Sequence, residues 1–362
     1  MSDLNQDQIF MHRAIELAKR GQYSTKPNPN VGCVIVKNGK IIGEGFHPKA
    51  GQPHAEVFAM REAGEDAHFA TAYVTLEPCA HYGRTPPCAK GLVEAGLARV
   101  IVACPDPNPL VAGKGVQILR DAGIDVEVGI CQDEAHQLNN GFLKAMATGM
   151  PYVRLKIASS LDGRTAMASG ESKWITGHLA RQDVQHWRAI SGAVITGIET
   201  VLADDCQLNV RQLDGFDDIQ TIVQPKRIIL DRQGRLALDA RILEDAETVM
   251  VMGPYRQELA DLGVLQLPVQ PLKELLQYLV QQHHIYDVLV EAGATLSTAF
   301  LQEHLVDELI SYVAPTLLGH SARSMFNAEF SLMAEQLRFK LYDLTQLGDD
   351  VRFRLIPSQE TL

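Results

Sequence analysis

The sequence predicts an α/β protein built from two consecutive units. Apolar, strand-like runs alternate with amphipathic helices along most of the chain, and this alternation is typical of mixed sheets with helices on both faces. The alternation breaks once, over residues 148–151, where Thr-Gly-Met-Pro ends a helix and a new strand begins a second series. A length of 362 residues allows two or three domains. We therefore expect one domain at 1–148 and a second at 151–362.

The first unit is predicted to open with a helix followed by an antiparallel hairpin. Apolar residues recur at helical spacing over 5–21, and two apolar runs then flank the dipeptide Asn38-Gly39. Asn-Gly between two such runs is a strong signal for a two-residue hairpin turn. The elements expected after the hairpin are a helix at 54–63, a strand at 72–76, a helix at 88–96, a strand at 100–104, a helix at 114–122, a strand at 125–129 and a helix at 133–147.

The second unit is predicted to repeat the alternation and to end differently. Its expected elements are a strand at 152–158, a turn at 159–164, a helix at 178–190, strands at 193–196, 227–230 and 248–252, a helix at 272–282, a strand at 287–291 and a helix after Gly293. Strands at 308–314, 339–344 and 351–355 follow without long helices between them. We therefore expect an antiparallel ending, with irregular surface segments at 212–226 and 319–336.

Charge and cysteine content restrict the class of function. The chain carries 33 basic and 44 acidic side chains and a net charge of −11, which disfavours long nucleic acid as a partner but allows a small phosphorylated substrate. Six cysteines make no disulfide framework, and no signal peptide or long apolar span is visible, so we expect a cytoplasmic protein without a membrane partner. Four cysteines are expected only to pack as small side chains: Cys33, Cys104, Cys131 and Cys206.

One cluster of metal-ligand residues lies between residues 54 and 88. His54, Cys79 and Cys88 can supply three ligands to Zn²⁺ and leave its fourth position open to water. Glu56 follows His54 by two residues, close enough to handle a proton at that open position without binding the metal. Two other interpretations are a structural zinc site, with His81 as the fourth ligand, and buried thiols without metal. The offset of Glu56 favours the catalytic site, because a closed structural site has no use for that carboxylate.

Together with segments 28–32 (Asn-Pro-Asn-Val-Gly) and 106–109 (Asp-Pro-Asn-Pro), these motifs resemble the deaminase half of the bifunctional riboflavin-biosynthesis deaminase/reductase family. In zinc deaminases the second Cys usually follows the first after two residues, whereas residues 80–87 intervene here. The resemblance implies a cytidine-deaminase-like α/β/α sandwich that binds one Zn²⁺ and removes the 2-amino group of a phosphoribosylamino-pyrimidinone. It further implies that Glu56 shuttles protons and that the substrate is bound by Asn28, His47, His81, Arg84, Asp106 and Asn108.

The resemblance continues into the second half and implies a dihydrofolate-reductase-like α/β domain that uses NADPH. No Gly-x-Gly-x-x-Gly follows the first strand of this half, so a Rossmann dinucleotide site is not supported. The helix that opens after Gly293 offers free amides to a cofactor pyrophosphate. The matching features are Lys156, 159–164, 172–176, 197–211 and 291–293. By resemblance, this domain reduces the ribosyl group of the deaminated product to a ribityl chain.

Three sets of residues are carried over to the implied reductase site. The candidates for polarising or protonating the sugar carbonyl are Lys156, Asp204 and Glu291. The candidates for substrate contact are Ser172, Arg188, Leu208, Arg211 and Glu291, in which the arginines suit a phosphate. The candidates for NADPH contact are Ala158, Trp174, Thr200, Asp204, Gly293, Ala294, Thr295, Leu296, Ser297, Thr298 and Ala299. One departure is Cys206, which stands where the family commonly has Pro.

Two other classes of function are considered beside this one. The first is an RNA-modifying zinc deaminase whose second half is a binding module without catalysis, and the second is a zinc-stabilised scaffold. The acidic balance and the long spacing between Cys79 and Cys88 argue against the RNA enzyme. We expect a homo-oligomer, either a dimer or a tetramer, with no nucleic-acid partner.

Overall fold

The computed structural model describes residues 3–80, 87–108, 111–216 and 219–358. Contacts within the chain divide it into two compact units, Met1–Met150 and Pro151–Leu362. Within the described ranges, no helix combines the length and the apolar character needed to cross a membrane.

The first unit is a five-stranded sheet surrounded by helices. Its strands are β1 (Gly32–Lys37), β2 (Lys40–Phe46), β3 (Thr71–Leu76), β4 (Arg99–Cys104) and β5 (Asp125–Val128). Its helices are α1 (Asp3–Lys19), α2 (Ala55–Ala63), α3 (Cys88–Glu94), α4 (Lys114–Asp121), α5 (Gln132–Gln137) and α6 (Asn140–Thr148). The strand order is β2-β1-β3-β4-β5, with β1 antiparallel to both of its neighbours and the remaining pairs parallel. The predicted hairpin is confirmed by the pairing of β1 with β2.

Apolar side chains cover both faces of this sheet, because successive residues of a strand point to opposite faces. Val34 and Ile101 belong to a core that they share with α1, α5 and α6. Their chain neighbours Ile35 and Val100 belong to a separate core beneath α2, α3 and α4. The predicted mixed sheet with helices on both faces is therefore confirmed.

The single helix predicted at 133–147 is wrong, because the structure breaks it into α5 and α6 at Asn139. The Asn139 side chain accepts a hydrogen bond from the backbone N–H of Asn30 at 2.7 Å and donates one to its carbonyl at 2.9 Å. Asn139 is buried, with φ −133° and ψ 25°, outside the helical region. Pairing with a backbone 109 residues away therefore replaces the continuation of the helix.

The second unit contains a nine-stranded sheet and a separate two-stranded ribbon. Its strands are β6 (Tyr152–Ser160), β7 (Arg164–Ala166), β8 (Ala193–Gly197), β9 (Lys226–Leu230), β10 (Val249–Met252), β11 (Leu265–Leu267), β12 (Asp287–Glu291), β13 (Glu308–Ala314), β14 (Arg323–Ser324), β15 (Phe339–Leu347) and β16 (Asp350–Pro357). Its helices are α7 (His178–Ile190), α8 (Ile198–Asp204), α9 (Gln257–Asp261), α10 (Leu272–His283) and α11 (Ala294–Gln302). The ribbon pairs β7 with β14.

The large sheet is parallel over most of its width and antiparallel at one end. Its order is β11-β10-β9-β8-β12-β6-β13-β16-β15, in which the strands from β11 to β13 run parallel while β16 and β15 pair antiparallel. The predicted antiparallel ending is confirmed. The turn predicted at 159–164 begins too early, because Ser159 and Ser160 extend β6 by pairing with Val313 and Ala314 of β13.

At the centre of this sheet, a charged residue on β12 lies beside one on β6, and two helices begin nearby. β12 lies between β8 and β6, and its last residue, Glu291, is the register partner of Lys156. α8 begins directly after β8, and α11 begins shortly after β12. Ligands of open α/β sheets bind at the carboxyl ends of the strands, so this edge is where a site is expected.

Candidate active sites

The three predicted zinc ligands of the first unit converge. His54 immediately precedes α2, Cys79 follows β3, and Cys88 begins α3. His54 Nδ1 lies 3.2 Å from Cys88 Sγ and 3.7 Å from Cys79 Sγ, and the ligand atoms of all three residues lie within 4.8 Å of one another. A set of one imidazole nitrogen and two sulfurs is the donor chemistry that Zn²⁺ prefers.

A hydrogen bond between the two thiols shifts their pKa values in opposite directions. A hydrogen bond with Cys88 is the main reason why the pKa of Cys79 falls to about 4, and the same contact raises the pKa of Cys88. The backbone N–H of Cys88 also donates to Cys79 Sγ at 3.2 Å, which favours the thiolate. Metal ions bind thiolates, and the lowered pKa means that Cys79 is already in that form at neutral pH.

Glu56, two residues after His54, has a carboxylate oxygen that makes no hydrogen bond. It lies in the first turn of α2, is only 3% exposed, and its atom Oε2 has no hydrogen-bond partner. Burial is the main reason why the pKa of Glu56 is raised. A buried polar atom without a partner needs a physical explanation, such as a catalytic role, a water molecule or a bound ion. The residues of this site therefore fit a zinc ion with a neighbouring proton acceptor.

Asn28 and His47 form a second layer beside the ligands. The His47 ring meets the His54 ring edge-on at a centroid distance of 5.4 Å. Its Nδ1 lies 3.0 Å from the Pro53 carbonyl and must donate to it, so Nε2 accepts from the Asn28 amide at 3.0 Å. Burial lowers the pKa of His47, in agreement with a neutral ring. In this arrangement the Asn28 amide group points its N–H₂ at His47, so the contact with His47 does not use its amide oxygen.

The buried carboxylate of Glu77 fixes the loop that follows β4. Its Oε2 accepts hydrogen bonds from the backbone N–H groups of Asp106 at 3.3 Å and Gly113 at 3.1 Å. Its Oε1 accepts from those of Gly115 at 3.0 Å and Val116 at 3.2 Å. No sequence motif indicates this role, because the four donors become neighbours only in the fold.

Glu77 thus connects a predicted zinc ligand, Cys79, to two predicted substrate residues. It precedes Cys79 by two residues, and its donor Asp106 in turn accepts a hydrogen bond from the backbone N–H of Asn108 at 2.8 Å. The start of α4 packs so closely that a Cβ on Gly115 would lie 2.0 Å from the Pro78 carbonyl oxygen. His81 and Arg84, the other predicted substrate residues, lie outside the described residues.

A cavity of about 1530 Å³ lies at the central edge of the second unit's sheet. The predicted site residues that line it are Lys156, Ala158, Ser172, Trp174, Arg188, Thr200, Asp204, Leu208, Arg211, Glu291, Gly293, Ala294, Thr295, Leu296 and Ala299. Ser297 and Thr298 are buried and are not part of the lining. The Ser297 hydroxyl donates to the Ala292 carbonyl, and the Thr298 hydroxyl accepts from the backbone N–H of Asn327. Sequence reasoning missed several cationic lining residues, among them Arg181, Arg235, Arg241 and Arg323.

An ion-pair cluster forms the floor of this cavity. Arg188 binds both oxygens of Glu291, with Nε–Oε1 at 2.5 Å and Nη2–Oε2 at 2.9 Å. Lys156 Nζ lies 3.9 Å from the same Oε2. Burial alone would raise the pKa of Glu291, but the Arg188 and Lys156 charges outweigh it and lower that pKa. Burial is also the main reason why the pKa of Lys156 is lowered.

Three further predicted residues, Ser172, Asp204 and Arg211, line the same cavity. Ser172 Oγ donates to the Asp204 carboxylate at 3.3 Å, and Lys173 Nζ contacts the Asp204 carbonyl at 3.1 Å. Arg211 makes no ion pair with any described residue, and burial together with the Arg188 charge lowers its pKa. An uncompensated guanidinium at a cavity wall is suited to bind an anion.

Comparison with known proteins finds a matching family model for each of the two units. The model of the cytidine and deoxycytidylate deaminase zinc-binding region matches residues 4–104, and the model of the RibD C-terminal domain matches 151–353. The riboflavin biosynthesis protein RibD of Haemophilus influenzae is 50% identical over 364 residues, which cover 98% of each chain. The chain belongs to the RibD family of riboflavin biosynthesis enzymes. The Escherichia coli relative of the same name is 49% identical over 97% of this chain and 99% of its own.

Solved structures of this family share the whole fold. RibD of Acinetobacter baumannii, form 1, has a TM-score of 0.96 and 77% identity, covering 99% of this chain and 100% of its own. A deaminase/reductase of Thermotoga maritima has a TM-score of 0.89 and 35% identity with the same coverage. The expected fold class is confirmed, with a cytidine-deaminase-like first domain and a reductase domain of the dihydrofolate-reductase-like type. The bifunctional interpretation is favoured over the RNA-modifying one, and the family's two domains are a zinc hydrolase and an NADPH-dependent reductase.

Proposed function

We propose that this chain catalyses two consecutive steps of riboflavin biosynthesis. The domain at 1–148 hydrolytically deaminates 2,5-diamino-6-(5-phosphoribosylamino)pyrimidin-4(3H)-one to 5-amino-6-(5-phosphoribosylamino)uracil. The domain at 151–362 then uses NADPH to reduce the ribosyl group, which gives 5-amino-6-(5-phosphoribitylamino)uracil. The two activities named for the Thermotoga maritima relative support this assignment.

The observation that carries the proposal is the position of Glu56 beside the three convergent donors. A structural zinc site or a simple thiol pair accounts for His54, Cys79 and Cys88 but not for a buried carboxylate oxygen without a partner. A deaminase needs that oxygen, because a proton must move from water to the substrate during each turnover. No fourth protein ligand is found among the described residues.

Zn²⁺ held by His54, Cys79 and Cys88 would supply Lewis acidity and make water a stronger acid. Glu56 takes a proton from the attacking water and returns protons to the ring nitrogen and the departing ammonia. Its deep burial keeps bulk water from competing for that proton, since only 3% of the residue is exposed. The reaction thus replaces one exocyclic C–N bond by a C–O bond and releases ammonia.

Recognition of the pyrimidine is assigned to polar groups around this centre. The Asn28 amide oxygen accepts from an exocyclic amine or ring N–H, and His47 keeps the amide in that orientation. Asp106 and Asn108 offer an acceptor and an amide from the loop held by Glu77. By resemblance, His81 and Arg84 also line the pocket, and either His81 or Arg84 is assigned to the substrate phosphate.

In the second domain, bound NADPH would supply hydride to C1′ of the ribosyl group. The bond between C1′ and the ring oxygen breaks, and the chain must supply a proton to that oxygen. Glu291 is held ionised by Arg188 and Lys156, which makes it a poor donor and a good anchor. The Lys156 ammonium, whose pKa burial lowers, gives up its proton more readily than an exposed lysine. We assign the proton transfer to Lys156 and the phosphate contact to Arg211, with Arg188 as the group that orients Glu291.

Absorbance of NADPH with the purified, zinc-loaded chain tests this assignment. Addition of the diaminopyrimidine substrate should release one ammonia and oxidise one NADPH per molecule, whereas protein stripped of zinc should oxidise NADPH only with the deaminated uracil derivative. Absence of NADPH oxidation with either compound excludes the reductase assignment. Deamination of an RNA in place of the pyrimidine would support the RNA-modifying alternative.

A further inference from the structure

A second set of metal-ligand donors lies in the first unit, away from the deaminase centre. His12 extends from α1, Cys131 immediately precedes α5, and Glu134 lies in the first turn of α5. Their ligand atoms all lie within 4.8 Å of one another. Among the described residues, this is one of two such groups, and the other is the predicted zinc site.

The spacing of these donors matches the requirements of a tetrahedral ion. With Zn–N at about 2.0–2.1 Å and Zn–S at about 2.3 Å, a tetrahedral angle places nitrogen and sulfur about 3.6 Å apart. His12 Nε2 lies 3.6 Å from Cys131 Sγ, and the corresponding distances in the deaminase centre are 3.2 and 3.7 Å. Nε2 lies 2.9 Å from Glu134 Oε2, which is shorter than the roughly 3.3 Å of an ideal tetrahedron. An exposed glutamate makes up that difference by a small side-chain rotation.

The backbone under these donors is fixed, whereas the donors themselves reach solvent. Met11 and Ala135, the neighbours of His12 and Glu134 in the chain, are buried in one apolar core, and Cys131 packs against the same core. The His12 and Glu134 side chains are 50% and 54% exposed. An ion pair explains why Glu134 lies beside His12 Nε2. It does not explain why the Cys131 thiol lies beside the same nitrogen.

We propose that His12, Cys131 and Glu134 form a second, exchangeable binding site for Zn²⁺. The ion takes one nitrogen, one sulfur and one oxygen from the protein and water at its fourth position, and the Cys131 thiol loses its proton to solvent on binding. Hard cations such as Mg²⁺ and Ca²⁺ are disfavoured by the imidazole and the thiolate. Because it has one thiolate instead of two and lies at the surface, this site binds zinc more weakly than the deaminase centre.

Equilibrium dialysis of the full chain against buffered micromolar free Zn²⁺, followed by elemental analysis, tests the proposal. Wild-type protein should hold two ions per chain, and His12→Ala and Cys131→Ser should each hold one. His136→Ala is the matched control and should hold two ions. It removes an exposed histidine of α5, the helix of Glu134, and His136 is not one of the proposed ligands. One ion in wild-type protein, or two in both donor variants, overturns the proposal.

A second measurement separates this site from the first and detects unfolded variants. Zn²⁺ should slow alkylation of Cys131 in the wild-type chain, as read by mass spectrometry of the labelled peptide, and His12→Ala should abolish that protection. Deaminase turnover should be retained in His12→Ala, which demonstrates that the fold and the first zinc ion are intact. Equal alkylation rates with and without Zn²⁺ in wild-type protein contradict the site.

Discussion

Arg188 and Glu291 form a two-pronged ion pair across 103 residues of sequence, and both side chains are almost fully buried. Lys156 approaches the same carboxylate at 3.9 Å, so one negative charge positions two positive ones. The trio therefore carries a net positive charge at the floor of the second unit's cavity. An anionic, phosphorylated substrate suits that balance.

Removal of the Arg188 guanidinium should disable the reductase and leave deamination intact. Arg188→Met leaves Glu291 buried without its main partner, a change that costs about 3–5 kcal/mol in other proteins. We expect the reductase kcat/KM to fall by at least about a hundredfold, because the Glu291 carboxylate in the cavity wall loses the group that holds its position. Arg188→Lys should recover part of the loss, because a single ammonium cannot bind both oxygens. Reductase kinetics of Arg188→Met within a few-fold of wild type would refute the anchoring role of the pair.

The reductase should lose activity at high pH through Lys156. Burial lowers the pKa of this ammonium below its ordinary value of 10.5, and only the charged form donates a proton. The kcat should therefore be maintained at low pH and should decline as pH rises through that lowered pKa. Lys156→Arg should react more slowly but lose the alkaline decline, because a guanidinium does not deprotonate in this range. A wild-type profile without any alkaline decline would assign the proton to another group.

Glu77 should matter to deamination although it does not touch the substrate. In Glu77→Gln, an NH₂ group faces two backbone N–H donors in place of an acceptor, and unsatisfied buried groups cost about 1–3 kcal/mol each. We expect the deaminase KM to rise about tenfold. The free energy of unfolding of the first unit should fall by about 3 kcal/mol, which lowers its unfolding temperature. Zinc content and NADPH oxidation with the deaminated substrate should be unchanged. Glu94→Gln, an exposed change in the same unit, is the control and should have no effect.

Features that depend on residues close together in the sequence could be predicted, whereas features that depend on contacts between distant residues could not. The convergent donors His54, Cys79 and Cys88 could be found from sequence because their motifs are local, and the hairpin at Asn38-Gly39 could be found for the same reason. The break at Asn139 depends on Asn30, and the role of Glu77 depends on donors up to 39 residues away. The spacing of apolar residues along a segment does not indicate hydrogen-bond partners that lie far away in the sequence. The pairing of Arg188 with Glu291 likewise appears only when α7 packs beside β12.

The most direct test of the account is the activity of Glu56→Gln with two substrates. The central claim is that one buried carboxylate moves protons in the first reaction and has no part in the second. The variant should retain bound zinc, should release no ammonia from the diaminopyrimidine, and should oxidise NADPH at the wild-type rate when given the deaminated uracil derivative. Ammonia release by Glu56→Gln at the wild-type rate, or loss of its zinc, would contradict the account.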